Sequence, residues 1–247
     1  SYDSMKSGGL TQSHLRFGDQ PIRSTYLVSS ADFVAVHAPT YVNKYDTTED
    51  LKDGGIFLLN CPWSAEELET RLPGKMKRDL ARKHANFYII DAAKLAVQVG
   101  LGEKRTNSIL QAAFFALTKV IPLDMAVEDM KKNNYNSYFK KAGQSIVDKN
   151  NAAVDAGISA AVKVEIPASW ADAADTPVAE PKGVTPFVRD IVLPMDRQQG
   201  DKLPVSVFKK HGVLDGTWEN GTSAFSKRGV ATKVPKWNAE SCIQCNR

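Results

Sequence analysis

The sequence predicts an α/β fold: a three-layer arrangement of one sheet with helices on both faces, followed by a small irregular α+β region. Three observations predict it. Short runs that are apolar at nearly every position alternate with polar, Gly or Pro punctuation, as in strands buried on both faces. Helical periodicity fills the stretches between and after those runs, and alternation of the two element types favours a covered sheet. The 247 residues suffice for one substantial core and an appendage.

The elements follow in order. Leu10 to Phe17 and Ser24 to Ser29 read as the first strands, then Phe33 to His37, Gly55 to Asn60 and Asn86 to Asp91. Ser64, followed by Glu66 and Glu67, is a capped helix start reaching Leu72, and Lys75 to His84 reads as the next helix. Asp91 closes a strand and is placed to cap a helix over Ala92 to Val99. Asn107 to Val120 is apolar almost all round through Ile109, Leu110, Ala113, Phe114, Leu117 and Val120, which predicts a buried helix. Pro122 opens a helix running toward Asn134, and Ser137 to Val162 is a further helical region. From Pro167 to Pro186 the Ala, Asp, Pro and Thr composition suits an extended linker draped over the surface. Beyond it, Val188 to Leu193 reads as a strand, with turns at Gly212, Gly216 and Gly221.

Composition excludes several classes. The net charge is +4, with the basic excess placed from Lys182 onward, and no basic-aromatic interleaving argues for nucleic acid. No run approaches the roughly 20 apolar residues that cross a bilayer. There is no G-x-S-x-G elbow and no H-E-x-x-H, so hydrolase and metalloprotease readings lack an anchor.

The three cysteines say more. Cys61 stands alone at a strand end and reads as a small buried thiol. Cys242 and Cys245 form a C-x-x-C, the first half of an iron–sulfur ligand run spaced C-x₂-C-x₂-C-x₃-C. Zinc and a local disulfide stay open as alternatives, although His14, His37, His84 and His211 show no H-x₃₋₅-H spacing. The chain begins at Ser1 and ends two residues after Cys245, so it reads as an interior piece of a larger protein.

Two glycine-containing loops could hold an anion. Ser4 to Thr11 sets Lys6 beside Gly8 and Gly9, where the backbone can approach a phosphate; a plain turn is the simpler reading, since P-loop order is missing. Gly100 to Asn107 places Lys104, Arg105, Thr106 and Asn107 at a helix start, where free N–H groups and cations favour negative charge. The alternative is an ordinary Gly stop followed by an N-cap from Thr106 or Asn107. Asp91 could hold a ribose hydroxyl in a dinucleotide fold, but no G-x-G-x-x-G follows the first strand.

The run Tyr2 to Gly18, with Pro21-Ile22-Arg23-Ser24, Ala31-Asp32-Phe33-Val34, Gly100-Leu101-Gly102, Arg105-Thr106-Asn107, Gln111 to Phe115 and Cys242-Ile243-Gln244-Cys245-Asn246, resembles the pyruvate:ferredoxin (flavodoxin) oxidoreductases. The resemblance implies that residues 1–165 are a gamma-type ketoacid oxidoreductase domain lacking its amino-terminal part. It likewise implies a linker over 166–186, a connector over 187–239, and at 240–247 the start of a ferredoxin-like iron–sulfur domain. It implies conversion of pyruvate and coenzyme A to acetyl-CoA and carbon dioxide, with thiamine diphosphate and Mg held elsewhere in the full-length enzyme and 4Fe-4S clusters passing electrons to ferredoxin or flavodoxin. Lys6, Gly8, Gly9, Arg105 and Asn107 would then contact coenzyme A, and Cys242 and Cys245 would be the first two ligands of a cluster. Met5 departs from the paired lysines usual in that motif, which weakens the assignment of Lys6. No catalytic acid, base or nucleophile is expected in this piece. The family further implies a homodimer of the full-length chain and a cytoplasmic or hydrogenosomal location. The competing readings are a non-catalytic gamma-type assembly module and a nucleotide-dependent dehydrogenase domain.

Overall fold

A computed structural model describes residues 10–177, 180–225 and 235–245. The chain divides into two compact units, one of residues 13–184 and one of residues 1–12 with 185–247.

The larger unit is built on a four-stranded sheet. Strands β1 (Ala31–Val36), β2 (Leu51–Asn60) and β3 (Asn86–Ile90) run parallel, and the two-residue β4 (Val162–Lys163) joins β3 antiparallel. Successive side chains along a strand face opposite ways, so each strand feeds two cores. On one side Phe57, Leu59, Phe87 and Ile89 pack with residues of helices α1 (Leu68–Arg71) and α2 (Gly74–Arg82). On the other, Leu58, Tyr88 and Ile90 meet α3 (Ala92–Gln98), α4 (Asn107–Thr118) and α6 (Gln144–Ile158). Helix α5 (Leu123–Ala142) adds an outer layer, where Met130 packs with Ala112 and Val154. The three layers and the covered sheet agree with the sequence.

Local chemistry explains the helix ends. Ser64 and Glu67 make a reciprocal capping box: the Ser64 N–H donates to Glu67 Oε2 at 2.9 Å, and the Glu67 N–H donates to Ser64 Oγ at 3.4 Å. Asp91 caps α3 by accepting from the Lys94 N–H at 2.9 Å, the structural role set against the ribose reading. Gly157, in the last turn of α6, lies so close to α4 that a Cβ there would stand 2.4 Å from the Ile109 carbonyl oxygen. Only glycine permits that crossing.

Several expectations need correction. Residues 10–17 and 24–29 form no strands, because among the described residues no neighbouring strand accepts their backbone groups. They are tied by the Val28 N–H donating to His14 Nδ1 at 3.0 Å and by Arg16, whose guanidinium reaches the Tyr26 carbonyl and lies 3.9 Å from its ring centre. Helix α4 is buried only on its inner side: Val120, just past its end, is 41% exposed. The segment after Pro167 is docked, not draped. Trp170 is buried to 3% exposure and its indole N–H donates to Glu69 Oε2, while the Gly74 N–H at the start of α2 donates to Thr176 Oγ1 at 2.9 Å.

The smaller unit has no strand among its described residues. Val188–Leu193 is helical, a π-helical turn over Val188–Val192 leading into α7 (Leu193–Asp196). The reason is visible in the spacing: Phe187, Val188, Ile191 and Val192 recur with helical period, and all four are buried. Helix α8 (Val205–Lys210) follows.

Candidate functional site

The loop between α3 and α4 is shaped by two left-handed glycines. Gly100 at φ 75° ends α3, with the Leu101 N–H folding back onto the Ala96 carbonyl at 2.8 Å, and Gly102 at φ 84° turns the chain outward. Leu101 is buried and pins the loop to the core, whereas Glu103, Lys104 and Arg105 are exposed. The Arg105 N–H donates to the Gly102 carbonyl at 3.1 Å, which fixes the backbone that carries the guanidinium.

The expectation that Thr106 or Asn107 caps α4 is not met. Thr106 occupies the cap position with helical backbone angles and no side-chain cap bond. Asn107 instead uses its Oδ1 to accept from Gln111 Nε2 at 3.1 Å, one turn along the helix. The first turn of α4 therefore presents N–H groups without a side-chain acceptor, the arrangement that attracts anions. Exposed Arg105 adds a formal charge and a two-pronged donor at the same place.

Sequence reading missed one cation here. Lys149, on α6, lies against Gly100: its Nζ is 3.6 Å from where a Cβ on that glycine would sit. Forty-odd residues of chain separate the two, so no local spacing could have linked them. Lys6, Gly8 and Gly9 lie outside the described residues. The structure thus sets Arg105 and Asn107 at the end of this loop and Lys149 against Gly100 at its start.

The thiols differ sharply. Cys61 is buried beside β2, its N–H donating to the Ile90 carbonyl at 2.9 Å, and burial pushes its thiol up to about 11. Cys242 and Cys245 are exposed. The Gln244 N–H donates to Cys242 Sγ at 3.4 Å, with Gln244 in the left-handed region at φ 53°. That bond, with one from the Trp237 indole, holds the Cys242 thiol below its ordinary value. Such donors stabilise a metal-bound thiolate too. Two soft donors fit half of a tetrathiolate set, and among the described residues no cluster of three metal-ligating side chains occurs.

The smaller unit holds a cavity of about 560 Å³ lined by Phe187, His211, Thr217, Trp218 and Glu219. In its wall His211 Nε2 lies 2.9 Å from Asp190 Oδ2, which also accepts from Lys210 Nζ at 2.8 Å. These two partners hold the Asp190 carboxyl below the usual range. Among the described residues no helix is long and apolar enough to cross a membrane.

Residues 1–160 match the family described as pyruvate ferredoxin/flavodoxin oxidoreductase, and residues 173–231 match a family described as a domain of unknown function. A pyruvate-flavodoxin oxidoreductase from Enterobacter agglomerans is 51% identical over 247 residues, covering 100% of this chain and 21% of the relative. A pyruvate:ferredoxin oxidoreductase from Moorella thermoacetica is 48% identical over 100% of this chain and 20% of its own length. A mitochondrial pyruvate dehydrogenase [NADP(+)] from Euglena gracilis is 40% identical over 99% of this chain and 13% of its own. The chain thus spans about a fifth or less of these relatives. A solved pyruvate oxidoreductase subunit, PORC of Thermotoga maritima, aligns with 56% of this chain and 67% of its own at a TM-score of 0.44 and 21% identity.

Proposed function

Because the chain belongs to the pyruvate ferredoxin/flavodoxin oxidoreductase family, we propose that it is the part of such an enzyme that contacts coenzyme A and supplies the first two ligands of an iron–sulfur cluster. The whole reaction would be oxidative decarboxylation of pyruvate with coenzyme A to acetyl-CoA and carbon dioxide, its electrons leaving to ferredoxin or flavodoxin. Thiamine diphosphate, Mg and pyruvate would bind in parts of the longer protein outside this chain. The enzyme would work in the cytoplasm or a hydrogenosome, as a homodimer.

The observation that carries the reading is the uncapped start of α4 next to Arg105, at the end of a loop whose Gly100 packs against Lys149. Arg105 would hold a phosphate of coenzyme A bidentately, the α4 N–H groups would donate to its remaining oxygens, and Asn107 would orient the same group. Lys6, Gly8 and Gly9 would add a second phosphate contact. Cys242 and Cys245 would hold a 4Fe-4S cluster, which supplies one-electron transfer when bound, and the N–H donated to Cys242 Sγ would favour the thiolate form.

Calorimetric titration of the chain with coenzyme A tests the loop. Arg105→Ala is expected to weaken binding by about tenfold or more, the loss of one charge-assisted contact, and to flatten its salt dependence. Unchanged affinity and unchanged salt dependence would remove the proposed contact.

A further inference from the structure

The cavity in the smaller unit takes no part in the coenzyme A or cluster chemistry, and its walls are built with care. Gly212 and Gly216 take left-handed backbone, at φ 69° and 85°, and turn the chain after α8 back toward Thr185 and Phe187. Thr217 fixes the turn: its N–H and its hydroxyl both donate to Asp215 Oδ1, at 3.0 and 2.7 Å. The next two side chains are then held in place. The Trp218 indole N–H donates to Thr222 Oγ1 at 3.1 Å, and Glu219 Oε2 accepts from Thr185 Oγ1 at 3.1 Å.

Three aromatic rings meet at this cavity. Phe187, buried, stands nearly perpendicular to Trp218, with centroids 4.8 Å apart, and to His211, at 5.7 Å. Trp218 itself is 45% exposed, so its ring surface is left open beside the cavity. The charges are arranged to match. The lining includes one carboxylate, Glu219, and no Lys or Arg. Among the described residues Glu219 makes no ion pair, its partner being the neutral Thr185 hydroxyl. The neighbouring Asp190 is different: Lys210 and His211 already occupy it, at 2.8 and 2.9 Å, and any charge on His211 faces that carboxylate.

We infer that this cavity binds a small organic cation, its ammonium head set against Trp218 and paired with Glu219, its apolar body along Pro186 and Val213. Aromatic faces are electronegative and attract a weakly hydrated cation, and a carboxylate without a counter-ion adds to that attraction. An anion would meet Glu219 with no Lys or Arg in the lining to offset it. A neutral apolar ligand would cover the carboxylate and leave it uncompensated. At about 560 Å³ the cavity has the size of a small-molecule site. Every residue of the site lies between Thr185 and Thr222, and none belongs to the coenzyme A loop.

Choline is the probe, followed by saturation-transfer NMR of the chain at constant ionic strength. Its control is the uncharged alcohol of the same shape, in which carbon replaces the quaternary nitrogen. Choline should bind saturably with a Kd of about 1–10 mM, and the alcohol about tenfold more weakly or less. Trp218→Ala and Glu219→Gln should each weaken choline by about tenfold. Glutamine keeps an oxygen for the Thr185 hydroxyl, so its effect reports the lost charge. Circular dichroism shows whether each variant keeps its fold; if Trp218→Ala does not, Glu219→Gln decides alone. No saturable binding up to about 50 mM, equal binding of choline and the alcohol, or choline affinity indifferent to Glu219→Gln would overturn the inference.

Discussion

Gly157→Ala tests the packing on which the loop between α3 and α4 depends. A Cβ at residue 157 would lie 2.4 Å from the Ile109 carbonyl oxygen, 2.9 Å from the Ile109 Cα and 2.9 Å from the Ala112 Cβ. Ordinary contact begins near 3.4 Å, so α4 and α6 must part by about 1 Å, and backbone on both sides leaves no flexible side chain to swing away. A gap of that size forfeits a quarter to a half of the dispersion energy along the crossing. Overpacking of this kind costs about 1–3 kcal/mol, and contact with backbone places it toward the upper end. Replacing glycine by alanine in a helix returns about 1 kcal/mol at most, less in the last turn, where Gly157 stands. The net is about 2 kcal/mol of destabilisation, a fall in Tm of about 4–8 °C for a unit of this size. Thermal unfolding followed by circular dichroism measures it. A Tm that is unchanged or raised would mean that α4 and α6 do not cross as closely as the structure has them.

Other consequences are as direct. Trp170→Ala removes a buried ring that also donates to Glu69, and should cost about 3–5 kcal/mol in a denaturant melt, whereas a surface linker would lose almost nothing. Burial alone would raise the Asp79 carboxyl, but hydrogen bonds from Lys75 and Thr48 outweigh it and hold it low. Its contribution is therefore present above the ordinary carboxylate pKa and is lost as pH falls through the lower folded value; Asp79→Asn should flatten the acid limb of stability against pH. Iodoacetamide near neutral pH should modify Cys242 readily and Cys61 only after unfolding, since the first is exposed with a lowered pKa and the second is buried with a thiol near 11. Equal rates on the folded chain would contradict both placements.

The parallel strands were legible because their residues are apolar on both faces, and burial on both faces is what the fold gives them. Phe57 and Leu58 show it: adjacent in sequence, they enter opposite cores. The beginning of β2 was hidden, since Leu51-Lys52-Asp53-Gly54-Gly55 has the composition of a turn while its first residue pairs with Ala31. Strand β4 is too short to leave a pattern. Leu15, Phe17, Tyr26 and Leu27 misled in the opposite sense: they have strand-forming composition, yet all four are exposed and no strand is there to pair with them. Strand propensity is satisfied only by a partner, and a sequence does not state where partners are.

The loop between α3 and α4 divides along the same line. Gly100, Gly102, Arg105 and Asn107 are local, and glycine chemistry followed by a buried helix marked them in sequence. Lys149 came from the tertiary fold, and so did the lack of a cap on α4: Thr106 and Asn107 are both residues that cap well, and neither does. Capping is a competition for the same N–H groups that would bind an anion. Asn107 spends its oxygen on Gln111 and Thr106 has turned into the helix, so the first-turn donors stay available. Leaving those donors uncapped costs stability of about 1 kcal/mol, which a bound phosphate would return. Giving α4 an ordinary cap with Thr106→Asp should therefore separate the two demands. It should raise the melting temperature of the free chain and weaken coenzyme A, because the new carboxylate both occupies the donors and repels the phosphate. If both quantities rose together, the start of α4 would be an unused helix end and the ligand would have to be held elsewhere.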